Sequence, residues 1–326
     1  MPVRRGPLYM TASGLVFTVM FALVKATREE LGAFDLVFWR GLIAGVLAYV
    51  LARHGTGGIR VQYRGLLVIR TVLGFAAMSC SFAAAKGLGV GDILLIGKMQ
   101  PLLIAILAPL LLGDDERAGP WIWLMLVTGL AGGLLLVAPD LALGSTYGVL
   151  ALAGAVLAAG AKIGVRAIVR EDDARVVVFY FQIGAAVLAG GALAITEGRL
   201  PVWPPAHLWP QLLGIGVTAA VGQLLMTQAY VFDRAPVIAA ATYTAPIWGI
   251  LVDITIFGLA PDVPAIVGGL LILGSGMVLI FDVRPPWGRK PASQAPEHAR
   301  VPTDAPADAS AAAPRIRYPS DVDGTS

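Results

Sequence analysis

The chain has 326 residues, 57% of them hydrophobic and 14% charged, with a mean hydropathy of +0.77 and a formal net charge of +3. A soluble domain carries about a quarter charged residues because its surface faces water, so an ordinary soluble enzyme is excluded. The single cysteine, Cys80, excludes a disulfide framework and a cysteine metal cluster, and the modest net charge gives no sign of nucleic-acid binding.

Taken in chain order, apolar windows fall at residues 8–24, 35–52, 66–85, 92–112, 120–138, 145–164, 175–196, 208–230, 236–257 and 262–281. A helical span needs about 20 apolar residues, whereas a membrane barrel shows alternating segments of about ten. The pattern predicts an all-α integral membrane protein with ten transmembrane helices. The first window follows Arg4 and Arg5 like the h-region of a signal peptide, but no small-residue cleavage site follows and Lys25 ends it, so it is read as a retained span. With a cytoplasmic N-terminus, the inner segments hold Arg53, Arg60, Arg64, Arg117, Arg166, Arg170, Arg175, Arg234, Arg284, Arg289 and Lys290 besides Arg4 and Arg5. The outer loops hold only Lys25, Arg28, Lys86 and Arg199. Both termini are therefore predicted to be cytoplasmic. Residues 285–326 are rich in Pro, Ala, Ser and Asp without apolar periodicity, and read as a disordered cytoplasmic tail.

The two halves of the chain align. At an offset of 145, Ala84-Ala85-Lys86 through Pro101 corresponds to Ala229-Tyr230-Val231 through Pro246, and Gly129 to Gly274. Nearer the start of each half a slightly smaller offset sets Val24-Lys25-Ala26 against Val165-Arg166-Ala167. An odd number of spans per repeat inserts the second half upside down relative to the first, which is the inverted-repeat architecture of many secondary transporters.

These elements resemble the drug/metabolite transporter superfamily, in particular members built from two EamA-type five-helix repeats. The residues that carry the likeness are Phe38-Trp39-Arg40, Ala83-Ala84-Ala85, the stretch from Pro101 to Leu112 closing at Gly113-Asp114-Asp115-Glu116, and Gly129 to Pro139. In the second half they are Gln228-Ala229-Tyr230 and Ala241-Thr242-Tyr243-Thr244-Ala245-Pro246. The resemblance implies one repeat over residues 7–139 and a second over 145–282. It also implies a central cavity lined by the third, fourth, eighth and ninth spans with parts of the first and sixth. Glu116 matches the acidic residue that tends to follow the fourth span, but the ninth is followed by Gly258-Leu259-Ala260-Pro261-Asp262, with no clean counterpart.

Several residues could carry transport. Pro101 and Pro246 fall near the middle of the fourth and ninth spans, where a proline frees the carbonyl four residues back, those of Gly97 and Thr242. Two broken helices facing each other at mid-membrane would form a substrate site; a kink made for packing is the plainer reading. Lys98 lies six residues after Asp92 and so about 9 Å into its span, where a cation marks a functional site by default. It is a candidate for binding a carboxylate or phosphate, in competition with Asp253, or else a static salt bridge. Arg40 is read as a member of an outer gate with Lys25, Arg28, Glu29 and Glu30, or as an anchor for helix-end groups. Lys162, near the inner end of its span, reads as within snorkelling reach. Gln100, Gln223, Thr227, Tyr230, Tyr243 and Thr244 form a neutral polar set suited to an amphipathic solute. The Gly41/Gly45, Gly129/Gly133 and Gly160/Gly164 pairs have GxxxG spacing for close helix approach.

No catalytic or metal set is expected, since His54, His207 and His298 lie in loops or the tail, and no Walker-type motif is present, so no cofactor is expected. The function expected is secondary transport of a small organic metabolite, amino-acid-like or otherwise amphipathic or anionic, across the inner (plasma) membrane. Export comes first and uptake second, with the bilayer and the solute as partners, no nucleic acid, and monomer or homodimer left open. A rival of another class is a non-transporting sensor or assembly subunit.

Overall fold

The computed structural model describes residues 4–27, 30–54, 59–84, 96–137, 146–245, 248 and 263–281. Its first three helices are α1 (Arg5–Thr27), α2 (Ala33–Arg53) and α3 (Arg64–Ala84). Next come α4 (Gln100–Leu112), a 3₁₀ turn at Asp114–Glu116, and α5 (Pro120–Val137). The second half holds α6 (Thr146–Ile168), α7 (Ala174–Thr196), α8 (Trp209–Phe232), α9 (Ala235–Ala241) running into a 3₁₀ turn at Thr242–Thr244, and α10 (Val263–Ile280). No strand occurs among the described residues.

Helix boundaries follow local chemistry. The Asp173 carboxylate caps α7 by accepting the Arg175 N–H at 2.8 Å. Asp35 places a carboxylate in the first turn of α2, where the helix dipole favours it. Helix α4 stops at Gly113, whose φ of +98° is open to glycine and strained for other residues.

Among the described residues, six helices (α1, α2, α3, α6, α7 and α8) are long and apolar enough to cross a membrane. α4, α5 and α10 contribute shorter apolar stretches. The predicted windows at 92–112 and 236–257 run partly over residues outside the described set, as do Lys86, Asp92, Asp253 and the 285–326 tail.

The turns segregate to two ends. At one end the Arg4 N–H donates to the Ile280 carbonyl at 2.8 Å, so the start of α1 and the close of α10 lie together. Arg4 also pairs with Asp233 in the α8–α9 turn, and the Gln62 N–H in the α2–α3 turn donates to Asp172 in the α6–α7 turn at 2.9 Å. At the other end the α1–α2 turn meets the α7–α8 connection, where His207 Nε2 lies 2.8 Å from Glu30.

The dominant helix pairings are α2 with α7, α1 with α8, α3 with α6, and α5 with α10, followed by α2 with α8. Glycines set the closest approaches. A Cβ on Gly41 would stand 2.7 Å from the Gln182 carbonyl oxygen, and one on Gly132 would stand 2.7 Å from that of Gly268. The backbones of α2 and α7, and of α5 and α10, therefore touch, as small residues allow where no water drives association. Between the helices sit fully buried Ile104, Leu126, Leu212, Ile215, Ile238 and Ile272.

Candidate functional site

Charged clusters close both ends of the bundle. At the end holding both chain segments Arg4 and Ile280, Glu116 is wholly buried and accepts from Arg166 Nε at 2.7 Å, Arg170 at 2.9 Å and the Ala235 backbone N–H at 2.6 Å. Burial pushes this carboxyl up, but the hydrogen bonds from Arg166, Ala235 and Arg170 outweigh it and hold the group below its ordinary value of 4.5. Arg166 also donates to the Tyr230 carbonyl at 2.5 Å. One carboxylate thereby ties the α4–α5 turn to α6 and to the first turn of α9.

At the opposite end Asp35, 2% exposed, accepts both terminal nitrogens of Arg199 at 3.0 and 2.7 Å and the Val202 N–H at 2.9 Å. Beside it Trp39 donates to the Val202 carbonyl at 3.0 Å and meets Trp203 and Trp209 edge-on, with ring centroids 5.1 and 5.3 Å away. Such a bidentate arginine–carboxylate pair, shielded by aromatic rings, is a strong contact.

Between the two ends lie cations that lack carboxylate partners among the described residues. Arg70 of α3 is 3% exposed. Its guanidinium carbon lies 3.4 Å from the centroid of the Phe181 ring, and one nitrogen donates to Gln223 Oε1 at 3.4 Å. Its Nε and Nη1, and the Nε of Arg40, are buried without a hydrogen-bond partner. The Lys162 ammonium donates to Gln100 Oε1 at 2.7 Å.

The predicted site residues separate on this frame. Lys98 and Met99 form the break before α4, and the Lys98 carbonyl accepts the Tyr243 hydroxyl at 2.8 Å. Lys98 and Tyr243 are 145 residues apart, the offset of the sequence repeat, so the break in one half is closed by its counterpart in the other. Pro101 does not interrupt a helix interior as expected: it occupies the first turn of α4, where its missing N–H is unneeded, and the interior proline of that helix is Pro109. The Thr242 carbonyl is not free either, since the Ala245 N–H closes a 3₁₀ turn on it.

Gln223, Thr227 and Tyr230 share one face of α8 at i, i+4 and i+7, and the hydroxyls of Thr227 and Tyr230 are buried without a partner. Thr244 turns the other way, donating to the Ala241 carbonyl at 2.8 Å and to Thr11 at 3.2 Å. Glu30, one of the partners expected for the Arg40 gate, pairs with His207, and the buried Nε of Arg40 has no partner. Arg28 and Glu29, the other partners proposed for that gate, lie outside the described residues, as do Pro246 and Asp253.

Sequence reasoning passed over Arg70 and Asp35. Arg70 stands six residues beyond Arg64 inside an apolar window with no acidic residue three or four positions away, a signal that was present. Lys162, read as within snorkelling reach, donates to Gln100 of α4, and helix α6 runs four residues past the predicted window end at 164, to Ile168.

Comparison with known proteins bears on this arrangement. Residues 4–138 match the EamA-like transporter family. The chain is 30% identical over 277 residues, covering 83% of it and 94% of the relative, to a protein of Pseudomonas aeruginosa named a pseudopaline exporter. It is 26% identical over 266 residues, 78% of the chain and 90% of the relative, to a riboflavin transporter of Brucella anthropi. A crystal structure superposes with a TM-score of 0.73 at 20% identity, over 86% of this chain and 99% of that one, which establishes a shared fold.

Proposed function

Because the chain belongs to the EamA-like transporter family, it is a multi-pass membrane transporter of a small molecule, and we propose that it exports an organic metabolite across the cytoplasmic membrane by alternating access. The observation that carries this reading is the placement of polar groups. Arg40, Arg70, Lys98, Lys162, Gln100 and Gln223 lie inside the bundle, while Glu116 and Asp35 bind arginines at its two ends. A central polar site sealed at both ends by breakable ion pairs is what alternating access requires, since each seal must open in turn.

Two observations support a pair of inverted repeats over residues 7–139 and 145–282. The pairings α1 with α8 and α3 with α6 exchange when each helix is replaced by its counterpart five positions on, as do α2 with α8 and α3 with α7. The Lys98–Tyr243 bond joins repeat-equivalent positions. Ten spans with both termini in the cytoplasm agree with the arginines gathered at the Glu116 end. Export is favoured by the name of the Pseudomonas relative; uptake is the second reading.

The test is untargeted mass spectrometry of medium and cell extract from matched cells making wild type or Lys98→Ala at equal membrane abundance. The proposal expects a solute enriched outside and depleted inside with wild type alone. Faster loss from the medium would assign uptake, and identical profiles for wild type, variant and cells without the protein would reject transport.

A further inference from the structure

The four interior cations are expensive for a membrane protein to keep. Arg70 is buried and Arg40, Lys98 and Lys162 are half-buried in the bundle, where an uncompensated cation is costly. Among the described residues none of the four has a carboxylate partner, and away from the ends of its apolar windows the sequence offers one carboxylate, Asp253. Asp35 is already held by Arg199, and Glu116 by Arg166 and Arg170. The shared scaffold does not demand the charges. At the repeat offsets Arg70 and Lys98 correspond to Ile215 and Tyr243, and Arg40 corresponds to Phe181, all uncharged. A charge that one half keeps and the equivalent position of the other half lacks serves something other than the packing of the repeat.

The donors are also presented for a ligand. Arg70 is fixed by the Phe181 face and by Gln223, which leaves Nε and Nη1 buried with nothing to donate to; the Nε of Arg40 is likewise unpartnered, and Gly41, next to Arg40, packs against Gln182, next to Phe181. Nε and Nη1 stand on different edges of the guanidinium, so each can take its own anionic oxygen in a charge-assisted bond, while Nη2, the nitrogen parallel to Nε, is turned to Gln223. Lys162 is oriented by Gln100, two residues after Lys98, which brings it to the start of α4 next to the Lys98–Met99 break. A single anionic group could answer one pair and would leave the other uncompensated.

We propose that the interior of the bundle is a polyanion site, taking small organic solutes with at least two anionic oxygen groups, carboxylate or phosphate, one held by Arg40 and Arg70 and another by Lys98 and Lys162. The Thr227 and Tyr230 hydroxyls, buried and unpartnered on the Gln223 face of α8, are available to neutral polar groups of the same solute. The inference rests on the transport reading above and narrows its substrate to one charge class.

The experiment uses the purified full-length protein in liposomes. A bacterial metabolite extract is separated on an anion-exchange column into neutral, singly anionic and multiply anionic pools, and each pool is offered outside liposomes bearing wild type, Arg70→Gln, Arg70→Lys or Lys162→Gln. Solutes retained inside are identified by mass. The expected result is accumulation from the multiply anionic pool at least tenfold above protein-free liposomes, lost in Arg70→Gln and Lys162→Gln and partly kept in Arg70→Lys. The masses then distinguish polycarboxylates from phosphate esters. Accumulation of neutral or singly charged solutes instead, or full activity in both glutamine variants, would overturn the polyanion site while leaving transport standing. No accumulation from any pool would overturn the transport reading and the inference with it.

Discussion

Glu116 shows how much one side chain can hold. A wholly buried carboxylate in contact with two arginines and a helix-start N–H is stable only while all its partners remain, and removing one side of such a pair costs about 3–5 kcal/mol. Glu116→Gln is therefore expected to lower the midpoint of thermal unfolding in detergent clearly, whereas Asp114→Asn, at a largely exposed pair with Arg117, should leave it unchanged. The pH dependence has a definite sign. Because the folded protein holds the Glu116 carboxyl below 4.5, its contribution is complete above that value and is lost as the pH falls through the lower folded value. Unfolding midpoints measured in steps below pH 5 should fall for wild type and fall less for Glu116→Gln; parallel decline of the two would remove Glu116 from the account. Lys98, Tyr243 and the α8 polar face were legible as single residues. Arg70 was passed over although its place inside an apolar window, with no acidic residue a turn away, marked it; the packing shows it under Phe181.

At the scale of elements, the break before α4 and the 3₁₀ turn after α9 do the positioning. The Lys98 carbonyl has no role in a continuous helix and is satisfied by the Tyr243 hydroxyl from the other half. Tyr243→Phe keeps the ring against Gly129 but leaves that carbonyl unpaired, a loss of about 1–3 kcal/mol. Reduced transport with unchanged membrane abundance is the expected outcome. Gly132→Ala forces a methyl against the Gly268 carbonyl and should destabilise by about 1–3 kcal/mol through separation of α5 from α10. Unfolding at unchanged temperature would mean that the two backbones are not in contact. The Gly41/Gly45 spacing announced the approach of α2 to α7, whereas α5 meets α10 at Gly132, outside the Gly129/Gly133 pair, whose members meet the Tyr243 and Lys98 side chains. The place of Pro101 was harder to read: a proline inside a long apolar window looks interior, and only the break at Lys98–Met99 makes it the first turn of a new helix.

The whole molecule is organised by symmetry in its scaffold and asymmetry in its charges. Helix pairings exchange between the halves, whereas Arg70 and Lys98 have uncharged repeat counterparts; a helical membrane transporter was readable from hydropathy and the family resemblance, while the grouping of the cations needed the fold. The core accounts for transport without residues 285–326, and a chain ending at residue 284 is expected to keep the flux of the full-length protein; loss of flux at equal abundance would give the tail a part in function. The central claim is that the Glu116 and Asp35 clusters seal opposite ends of one site and open in alternation. Its most direct test is pulsed electron-spin distance measurement in lipid nanodiscs, with Cys80→Ser as background and spin labels at Arg117 and Glu171 for one end and at Glu30 and Glu197 for the other. Glu116→Gln should lengthen the first distance alone and Asp35→Asn the second alone. Distances that stay fixed in both variants, or that lengthen together, would contradict alternating access around this site.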